Sequence, residues 1–217
     1  MYIAVFKRLL DIIWATIALI ILFPLLLGLV VAIKIDSRGP VFFVQKRVTK
    51  GKEHFSIYKF RTMQINTPSD TPTHLLDNPD QWITQVGKFM RRASLDELPQ
   101  LINIIRGDMS IVGPRPALWN QFDLLEERDK YGANDVMPGL TGWAQVNGRD
   151  TVSIEDKARY DGYYVEHASF LFDMRCFILT IVTVLKRDGV QEGGRRPVDD
   201  VSEQRKRLGG EARTDNR

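Results

Sequence analysis

The chain has 217 residues, of which 44% are hydrophobic and 26% are charged. It is therefore long enough for one globular domain with appendages. A single cysteine, Cys176, and three histidines exclude an intrachain disulfide and disfavour a zinc site of histidines and cysteines. The formal net charge is only +3, but basic residues concentrate in residues 34–61 and in the C-terminal tail. This uneven charge predicts anionic partners, either phosphates or a lipid surface, and we expect no nucleic-acid partner.

Residues 12–33 contain no charged side chain. As a helix this stretch would be about 33 Å long, against roughly 30 Å for the hydrocarbon core of a bilayer. Pro24 removes a helical hydrogen bond near the middle, and basic residues flank both ends, which favours the same side of the membrane for both. We therefore predict that residues 1–34 form a re-entrant helix, break and helix. A straight membrane span and a buried core helix are the alternatives.

Residues 39–63 predict a β-hairpin, with a turn at the Lys-Gly-Lys sequence of residues 50–52. The hairpin is strongly basic and includes Lys59 in its second strand. Its basic side chains either form a solvated face or meet anionic lipid headgroups.

The stretch from Ser94 to Gln100 carries two adjacent carboxylates, Asp96 and Glu97. Apolar residues at positions 98, 101, 102 and 105 predict a helix that begins close to Asp96. The start of a helix favours a bound phosphate. One interpretation is therefore that Asp96 and Glu97 are a nucleophile and a metal ligand beside an anion site. The other is a capping box, in which Ser94 and Glu97 satisfy the free N–H groups of the helix.

Two further motifs present arginines. Arg115 stands between two prolines, which hold the backbone rigid, and a rigid guanidinium suits bidentate phosphate binding. Arg149 follows an Asn-Gly turn signal in a segment with three glycines, and these glycines would allow the backbone to approach a ligand closely. An ordinary turn with a surface arginine is the alternative.

The remaining pattern predicts an α+β fold, with a small β-hairpin or sheet surrounded by amphipathic helices. Polar residues 118–131 predict a surface helix, and Ser153 is expected to cap a helix that runs to about residue 165. Residues 170–185 predict a buried or interfacial apolar helix. We assign residues 35–187 to a catalytic domain at the membrane interface. Residues 66–79 are expected to form a lid or an insert, and residues 188–217 a disordered polar tail.

Taken together, these motifs resemble the bacterial sugar transferases of the monotopic phosphoglycosyl transferase family, in its minimal form, over roughly residues 6–186. The resemblance is specific because several separate motifs occur in one order. They are the apolar segment with Pro24, Lys59-Phe60-Arg61-Thr62-Met63, residues 94–100, residues 107–116 and residues 138–149. One departure is Phe23 before Pro24, where the smallest members often have serine.

The resemblance implies transfer of a sugar-1-phosphate from a UDP-sugar to a polyprenol phosphate such as undecaprenyl phosphate. It implies that Asp96 is the nucleophile, which forms a covalent phosphosugar intermediate and releases UMP, and that Glu97 helps to hold Mg²⁺. It further assigns substrate contacts to the basic residues Arg91, Arg115, Arg149 and Lys59 and to Asp161. The expected location is the bacterial inner membrane, with the catalytic domain on the cytosolic face. The resemblance assigns neither the sugar nor an oligomeric state.

Two other functions share some of these features. A membrane-bound phosphohydrolase would use the same aspartate and pass the phosphate to water. A non-catalytic scaffold would bind anionic lipid through the basic hairpin, but it would not need Asp96, Glu97 and the proline-flanked Arg115 together.

Overall fold

The computed structural model of the chain describes residues 6–67, 81–148 and 152–186. Most of the predicted loop at residues 66–79, the tail at residues 188–217 and Arg149 lie outside the described residues. The described part is a mixture of seven α-helices and two small sheets, as the α+β prediction requires.

A hairpin and a second, smaller strand pair form the sheets. Strands β1 (Phe42–Val48) and β2 (His54–Phe60) are antiparallel, and the turn between them is a 3₁₀ helix, Lys50–Lys52. The predicted hairpin is therefore confirmed. Strands β3 (Ser110–Val112) and β4 (Gly139–Thr141) are parallel, and the sequence pattern did not predict this pair.

The helices cover most of the predicted helical segments. They are α1 (Lys7–Asp36), α2 (Gln85–Arg92), α3 (Gln100–Arg106), α4 (Phe122–Asp129), α5 (Trp143–Val146), α6 (Ile154–His167) and α7 (Phe170–Lys186). The predicted cap of α6 is confirmed, because the side chain of Ser153 accepts a hydrogen bond from the backbone N–H of Asp156.

Helix α1 is longer than predicted and continues through Pro24. The structure therefore shows one continuous helix and not the predicted break into two arms. By length and composition α1 could cross a bilayer, but one stripe of its side chains packs along the domain. This stripe has a spacing of three or four residues and consists of Ala15, Ala18, Leu22, Leu26, Leu29 and Ile33.

The opposite side of α1 is exposed and apolar. Its members include Ile13, Trp14, Ile17, Ile20, Ile21, Phe23, Leu27 and Val31. Helix α7 also exposes an apolar stripe, formed by Leu171, Met174, Phe177, Ile178, Ile181 and Val182. Contiguous apolar surface of this kind marks a membrane or protein contact.

A buried ionic cluster fixes the N-terminal end of α1. The ammonium of Lys7 lies 2.7 Å from Asp173 of α7 and 3.7 Å from Asp11. Asp11 also accepts a hydrogen bond from the hydroxyl of Ser110 at 2.6 Å, and Asp173 accepts one from the hydroxyl of Tyr164 at 2.9 Å. All five side chains are buried, so the lysine neutralises part of a carboxylate pair that water does not reach.

Further polar contacts hold both ends of α1 to the same domain. Near the start, Arg8 donates to the carbonyl oxygens of Ile104 and Ile105, which end α3. At the other end, the carboxylate of Asp36 accepts a hydrogen bond from the backbone N–H of Val86, at the start of α2. The domain thus contacts α1 at both ends and along its packed stripe.

We expect Lys7→Met to destabilise the protein strongly, because Asp11 and Asp173 would remain buried without a positive charge. Breaking a buried ion pair in this way costs about 3–5 kcal/mol. Denaturant unfolding in detergent micelles measures the free energy of unfolding. Lys34→Met is the matched control, because the ammonium of Lys34 is exposed and contacts only the carbonyl of Gly39 in the described structure. Equal effects of the two substitutions would contradict a structural role for the cluster.

Candidate active site

The two central carboxylates lie on a short 3₁₀ turn, Leu95–Glu97, rather than on an α-helix. The α-helix proper, α3, begins only at Gln100, after Pro99. Ser94 takes a left-handed backbone conformation with φ of 54°, and its side chain makes no capping hydrogen bond. The capping-box interpretation of Ser94 and Glu97 is therefore wrong, and the structure uses Glu97 differently.

Glu97 is held by two basic side chains from other elements. The ammonium of Lys59, on β2, lies 2.8 Å from Oε1 of Glu97, and the guanidinium of Arg115 lies 2.7 Å from the same oxygen. The second oxygen, Oε2, receives only a long contact of 3.4 Å from Arg115. Burial by itself would raise the pKa of Glu97, but Arg115 and Lys59 hold this pKa well below its usual range. Glu97 is consequently a fixed negative charge.

Asp96 has a different environment. Burial raises its pKa, the negative charge of Glu97 raises it further, and the charges of Lys59 and Arg91 oppose both effects. Among the described residues Asp96 belongs to none of the ion pairs within 4 Å. Two adjacent carboxylates thus differ in basicity, and Asp96 is the more basic of the two.

The basic residues around the turn also have defined positions. The guanidinium of Arg91, at the end of α2, donates to the hydroxyl of Thr62 at 2.9 Å, and its charge acts on Asp96. Burial lowers the pKa of the Lys59 ammonium, and the charge of Glu97 opposes this shift. The structure therefore brings together Asp96, Glu97, Lys59, Arg91 and Arg115.

Asp161 pairs with Arg128 and not with the basic residues around Glu97. Its side chain is 1% exposed and forms a buried ion pair with Arg128. Arg128 in turn donates to the backbone carbonyl of Arg115 at 2.9 Å. Asp161 is thus connected to the site through Arg128 and the backbone of Arg115. The predicted contact of Asp161 with substrate stays a prediction that these contacts do not test.

Sequence analysis did not single out Arg128 or Arg47 for the site. Arg47 donates to the carbonyl of Pro116 at 2.9 Å, and burial, together with the charge of Arg115, lowers its pKa to about 10. A signal for Arg47 was available in the strand alternation, because Arg47 and Lys59 lie on the same inward face of the hairpin. The basic hairpin residues do not form one surface, since Lys46 is exposed on the other face.

The backbone of the loop that carries Arg115 packs closely against the backbone around Gly139 and Gly142. A Cβ atom added to Gly139 would lie 2.1 Å from the backbone nitrogen of Gly113, and one added to Gly142 would lie 2.0 Å from the carbonyl oxygen of Gly113. The described structure therefore explains these two glycines by close contact with another segment of the chain. Approach to a ligand, the predicted reason for the glycines, is not needed to explain these two.

A cavity of about 170 Å³ adjoins Glu97 and Arg115. Its wall includes the side chain of Gln145, on α5, and several residues of α7. Gln145 is 8% exposed, and its Nε2 donates to the carbonyl of Leu140. Its Oε1 has no hydrogen-bond partner among the described residues. Gln145 therefore belongs to the wall of this cavity. It lies within the motif of residues 138–149, in which the sequence alone points to Arg149 and the glycines instead.

We expect Asp161→Asn to lower the free energy of unfolding by about 3–5 kcal/mol, because Arg128 would stay buried without its counter-charge. The control is Asp156→Asn on the same helix, whose ion pair with Arg159 is exposed and is worth at most about 1 kcal/mol. Chemical denaturation of both variants makes the comparison. An Asp161→Asn protein as stable as the control would contradict the assigned role of the buried pair.

The chain is similar to known proteins over most of its length. Residues 2–187 match the sequence model of the family described as bacterial sugar transferase. The chain is 39% identical to the uncharacterized sugar transferase EpsL of Bacillus subtilis (strain 168), over 87% of this chain and 91% of that protein.

Two relatives with named reactions are longer. The chain is 41% identical to a UDP-glucose:undecaprenyl-phosphate glucose-1-phosphate transferase of Xanthomonas campestris pv. campestris, over 85% of this chain. It is 40% identical to a UDP-N-acetylgalactosamine-undecaprenyl-phosphate N-acetylgalactosaminephosphotransferase of Aeromonas hydrophila, over 87% of this chain. The matched region covers only 40% and 45% of these two proteins.

Proposed function

The chain belongs to the bacterial sugar transferase family, and we propose that it transfers a sugar-1-phosphate from a UDP-sugar to undecaprenyl phosphate through a covalent intermediate on Asp96. The reaction would be a first membrane step of surface polysaccharide or glycoconjugate synthesis. The names of the Xanthomonas and Aeromonas relatives support the substrate classes. The observation that carries the proposal is the difference between Asp96 and Glu97.

The difference in basicity between Asp96 and Glu97 suits nucleophilic catalysis by Asp96. The charge of Glu97 is neutralised by Lys59 and Arg115, and both of these ion pairs engage its Oε1. Asp96 keeps a raised pKa, and a more basic carboxylate is the better nucleophile when it is ionised. The surrounding basic side chains, Arg91 among them, would attract the phosphates of the donor.

The proposed chemistry divides the transfer into two displacements at one phosphorus atom. An oxygen of Asp96 attacks the sugar-proximal phosphorus, the bond from this phosphorus to the bridging oxygen breaks, and UMP leaves with that oxygen and the electron pair. The product is an acyl phosphate that links Asp96 to the sugar phosphate. A phosphate oxygen of undecaprenyl phosphate then attacks the same phosphorus, and the carboxylate of Asp96 leaves unchanged.

The residues present fit a bound Mg²⁺. Magnesium prefers oxygen ligands, keeps several waters and is bound by one or two carboxylates plus substrate phosphates. Among the described residues, Oε2 of Glu97 receives only the long contact from Arg115. Glu97 would hold the ion together with the substrate phosphates, and the ion would supply charge stabilisation to the phosphoryl group. No cluster of three or more His, Cys, Asp or Glu side chains suited to a metal occurs among the described residues.

The site also needs access to a lipid substrate. Both ends of α1 are bound to the domain that carries Asp96, and the inner stripe of α1 packs on the same domain. A straight span would place its two ends on opposite sides of the bilayer. We therefore propose that α1 enters one leaflet only, with its exposed apolar side in lipid, and that the catalytic domain lies on the cytosolic face of the inner membrane.

Asp96→Asn is expected to reduce turnover by at least about 10³-fold, because the amide keeps the shape of the side chain but does not attack phosphorus. Incubation of the parent protein with Mg²⁺ and a UDP-sugar but no acceptor, over a panel that includes UDP-glucose and UDP-N-acetylgalactosamine, should add a sugar phosphate to the peptide that contains Asp96. Intact-mass and peptide mass spectrometry provide the measurement. An adduct on another residue, or full activity of Asp96→Asn, would contradict the proposal.

The stoichiometric release of UMP without acceptor is expected to depend on pH through Asp96. Only the ionised carboxylate attacks, and its raised pKa means that the ionised fraction is lost at a higher pH than for an ordinary aspartate as the solution is acidified. Glu97 stays ionised there, because its pKa is lowered. Single-turnover rates of UMP release against pH test this. A rate that stays constant down to pH 3.8, the ordinary aspartate value, would contradict the assignment.

Glu97→Gln is expected to raise the Mg²⁺ concentration needed for half-maximal activity. The amide keeps one oxygen but has no negative charge for the ion. A titration of UMP release against Mg²⁺ measures the shift, with Glu127→Gln, at an exposed contact with Lys130, as the control. An unchanged titration would show that Glu97 does not hold the metal.

Cysteine labelling in intact cells tests the position of α1. Single cysteines replace Phe6 and Arg38, which lie outside the two ends of the apolar stretch, in a Cys176→Ser background. Both should resist an impermeant reagent in intact cells and react after permeabilisation. Labelling of either position from outside would show that α1 crosses the membrane.

A further inference from the structure

The cavity beside Glu97 and Arg115 is lined by two unlike kinds of side chain. Its wall includes the charged groups of Arg115 and Glu97 and the apolar side chains of Leu140, Phe177 and Val184. Phe177 is also 44% exposed and belongs to the outer apolar stripe of α7. The cavity therefore adjoins both the charged site and the surface assigned to lipid.

Three threonine hydroxyl groups of the cavity wall already donate hydrogen bonds. The hydroxyl of Thr180 donates to the carbonyl of Cys176 at 2.7 Å, and the hydroxyl of Thr183 donates to the carbonyl of Leu179 at 2.8 Å. The hydroxyl of Thr141 lies 2.5 Å from that of Thr180, so it donates to Thr180. These three threonines consequently offer no free hydrogen-bond donor to a ligand.

A sugar ring suits such a wall poorly. Each of its hydroxyl groups would lose water and need a protein partner, and an unpaired buried polar group costs about 1–3 kcal/mol. Among the uncharged groups of the described cavity wall, Oε1 of Gln145 is the buried side-chain atom that has no hydrogen-bond partner. The threonine oxygens can still accept hydrogen bonds, but the uncharged part of the wall offers few donors to the several hydroxyl groups of a sugar, whereas a hydrocarbon requires none.

The volume fits a small hydrocarbon unit. A dry apolar cavity of about 150 Å³ takes up benzene, with its six carbons. The cavity here measures about 170 Å³, which is enough for one five-carbon isoprene unit. A phosphate attached to this unit would reach the guanidinium of Arg115, at the same end as Glu97.

We propose that this cavity binds the first isoprene unit of undecaprenyl phosphate and directs its phosphate toward Arg115. The UDP-sugar then binds outside the cavity, on the side of Asp96 that faces Arg91. This proposal rests on the proposed function, and it adds a separate site for the acceptor. Helix α7 forms its wall, so that the lipid enters from the exposed stripe of that helix.

The test uses a substitution that fills the cavity and separates the two half-reactions. Thr183→Phe adds a ring to the wall, and Glu126→Phe adds the same ring to an exposed position of α4, a helix that does not line the cavity. Each full-length protein is studied in nanodiscs. Stoichiometric UMP release from a UDP-sugar alone reports the first half-reaction. Transfer from the preformed adduct to undecaprenyl phosphate reports the second.

We expect Thr183→Phe to lower kcat/KM for undecaprenyl phosphate about tenfold or more. UMP release without acceptor should stay within about twofold of the parent, a change of less than 0.5 kcal/mol in the barrier. Glu126→Phe should leave both half-reactions within the same limit. Gln145→Leu should also retain the first half-reaction, because no sugar hydroxyl depends on its Oε1.

The opposite outcomes are equally clear. A loss of acceptor-free UMP release in both Thr183→Phe and Gln145→Leu would place the sugar in the cavity and overturn the proposal. Unchanged transfer to undecaprenyl phosphate in Thr183→Phe would overturn it too. These failures differ from failure of the proposed function, in which the parent protein itself releases no UMP and forms no adduct. Thermal unfolding of each variant identifies a loss caused by misfolding, and Thr183→Leu then replaces Thr183→Phe.

Discussion

The ion pairs of Glu97 with Lys59 and Arg115 are the interaction on which the rest of the site depends. They join three separate elements, since Lys59 comes from the hairpin, Glu97 from the turn before α3 and Arg115 from the loop after β3. The buried carboxylate would be costly without them. With them, the negative charge of Glu97 is fixed, and the neighbouring carboxylate of Asp96 becomes the more basic group.

The position of Arg115 is secured by contacts that lie behind it. Its carbonyl accepts a hydrogen bond from Arg128, whose guanidinium is oriented by Asp161. The loop of Arg115 also lies against the backbone around Gly139 and Gly142. A guanidinium that several segments hold in place loses little entropy when it binds a phosphate, so this arrangement favours binding and orientation of the substrate.

A second constraint comes from α1. Its N-terminal end is fixed through the buried Lys7 and its C-terminal end through Asp36, while the side away from the domain exposes large apolar residues. Lipid is the solvent that suits this side. In the proposed function, the same contacts would keep the active site close to the membrane, where a water-soluble donor and a lipid acceptor would both reach Asp96.

Local patterns predicted the local elements well. The hairpin, the Ser153 cap of α6 and the length of α7 each depend on residues close together in sequence, and each is confirmed. The sequence left Glu97 open between a capping box and a site residue, and the structure decides against the cap because Glu97 pairs with Lys59 and Arg115. Such contacts join residues far apart in the chain, so no local pattern determines them.

The same limit explains the other differences. The parallel pairing of Ser110 with Gly139 and the ion pair of Arg128 with Asp161 also join distant segments. Pro24 was expected to break α1, since proline disrupts a helix interior. Helix α1 nevertheless continues through it, with its packed stripe against the domain on both sides of the proline.

The central claim is that Asp96 accepts the phosphosugar before the lipid does, and the stereochemistry at phosphorus tests this most directly. A UDP-sugar made chiral at its sugar-proximal phosphorus with oxygen isotopes would be converted to the undecaprenyl product. Each displacement inverts the configuration, so two displacements predict overall retention. Overall inversion would show a single direct transfer between the substrates and would contradict the covalent role of Asp96.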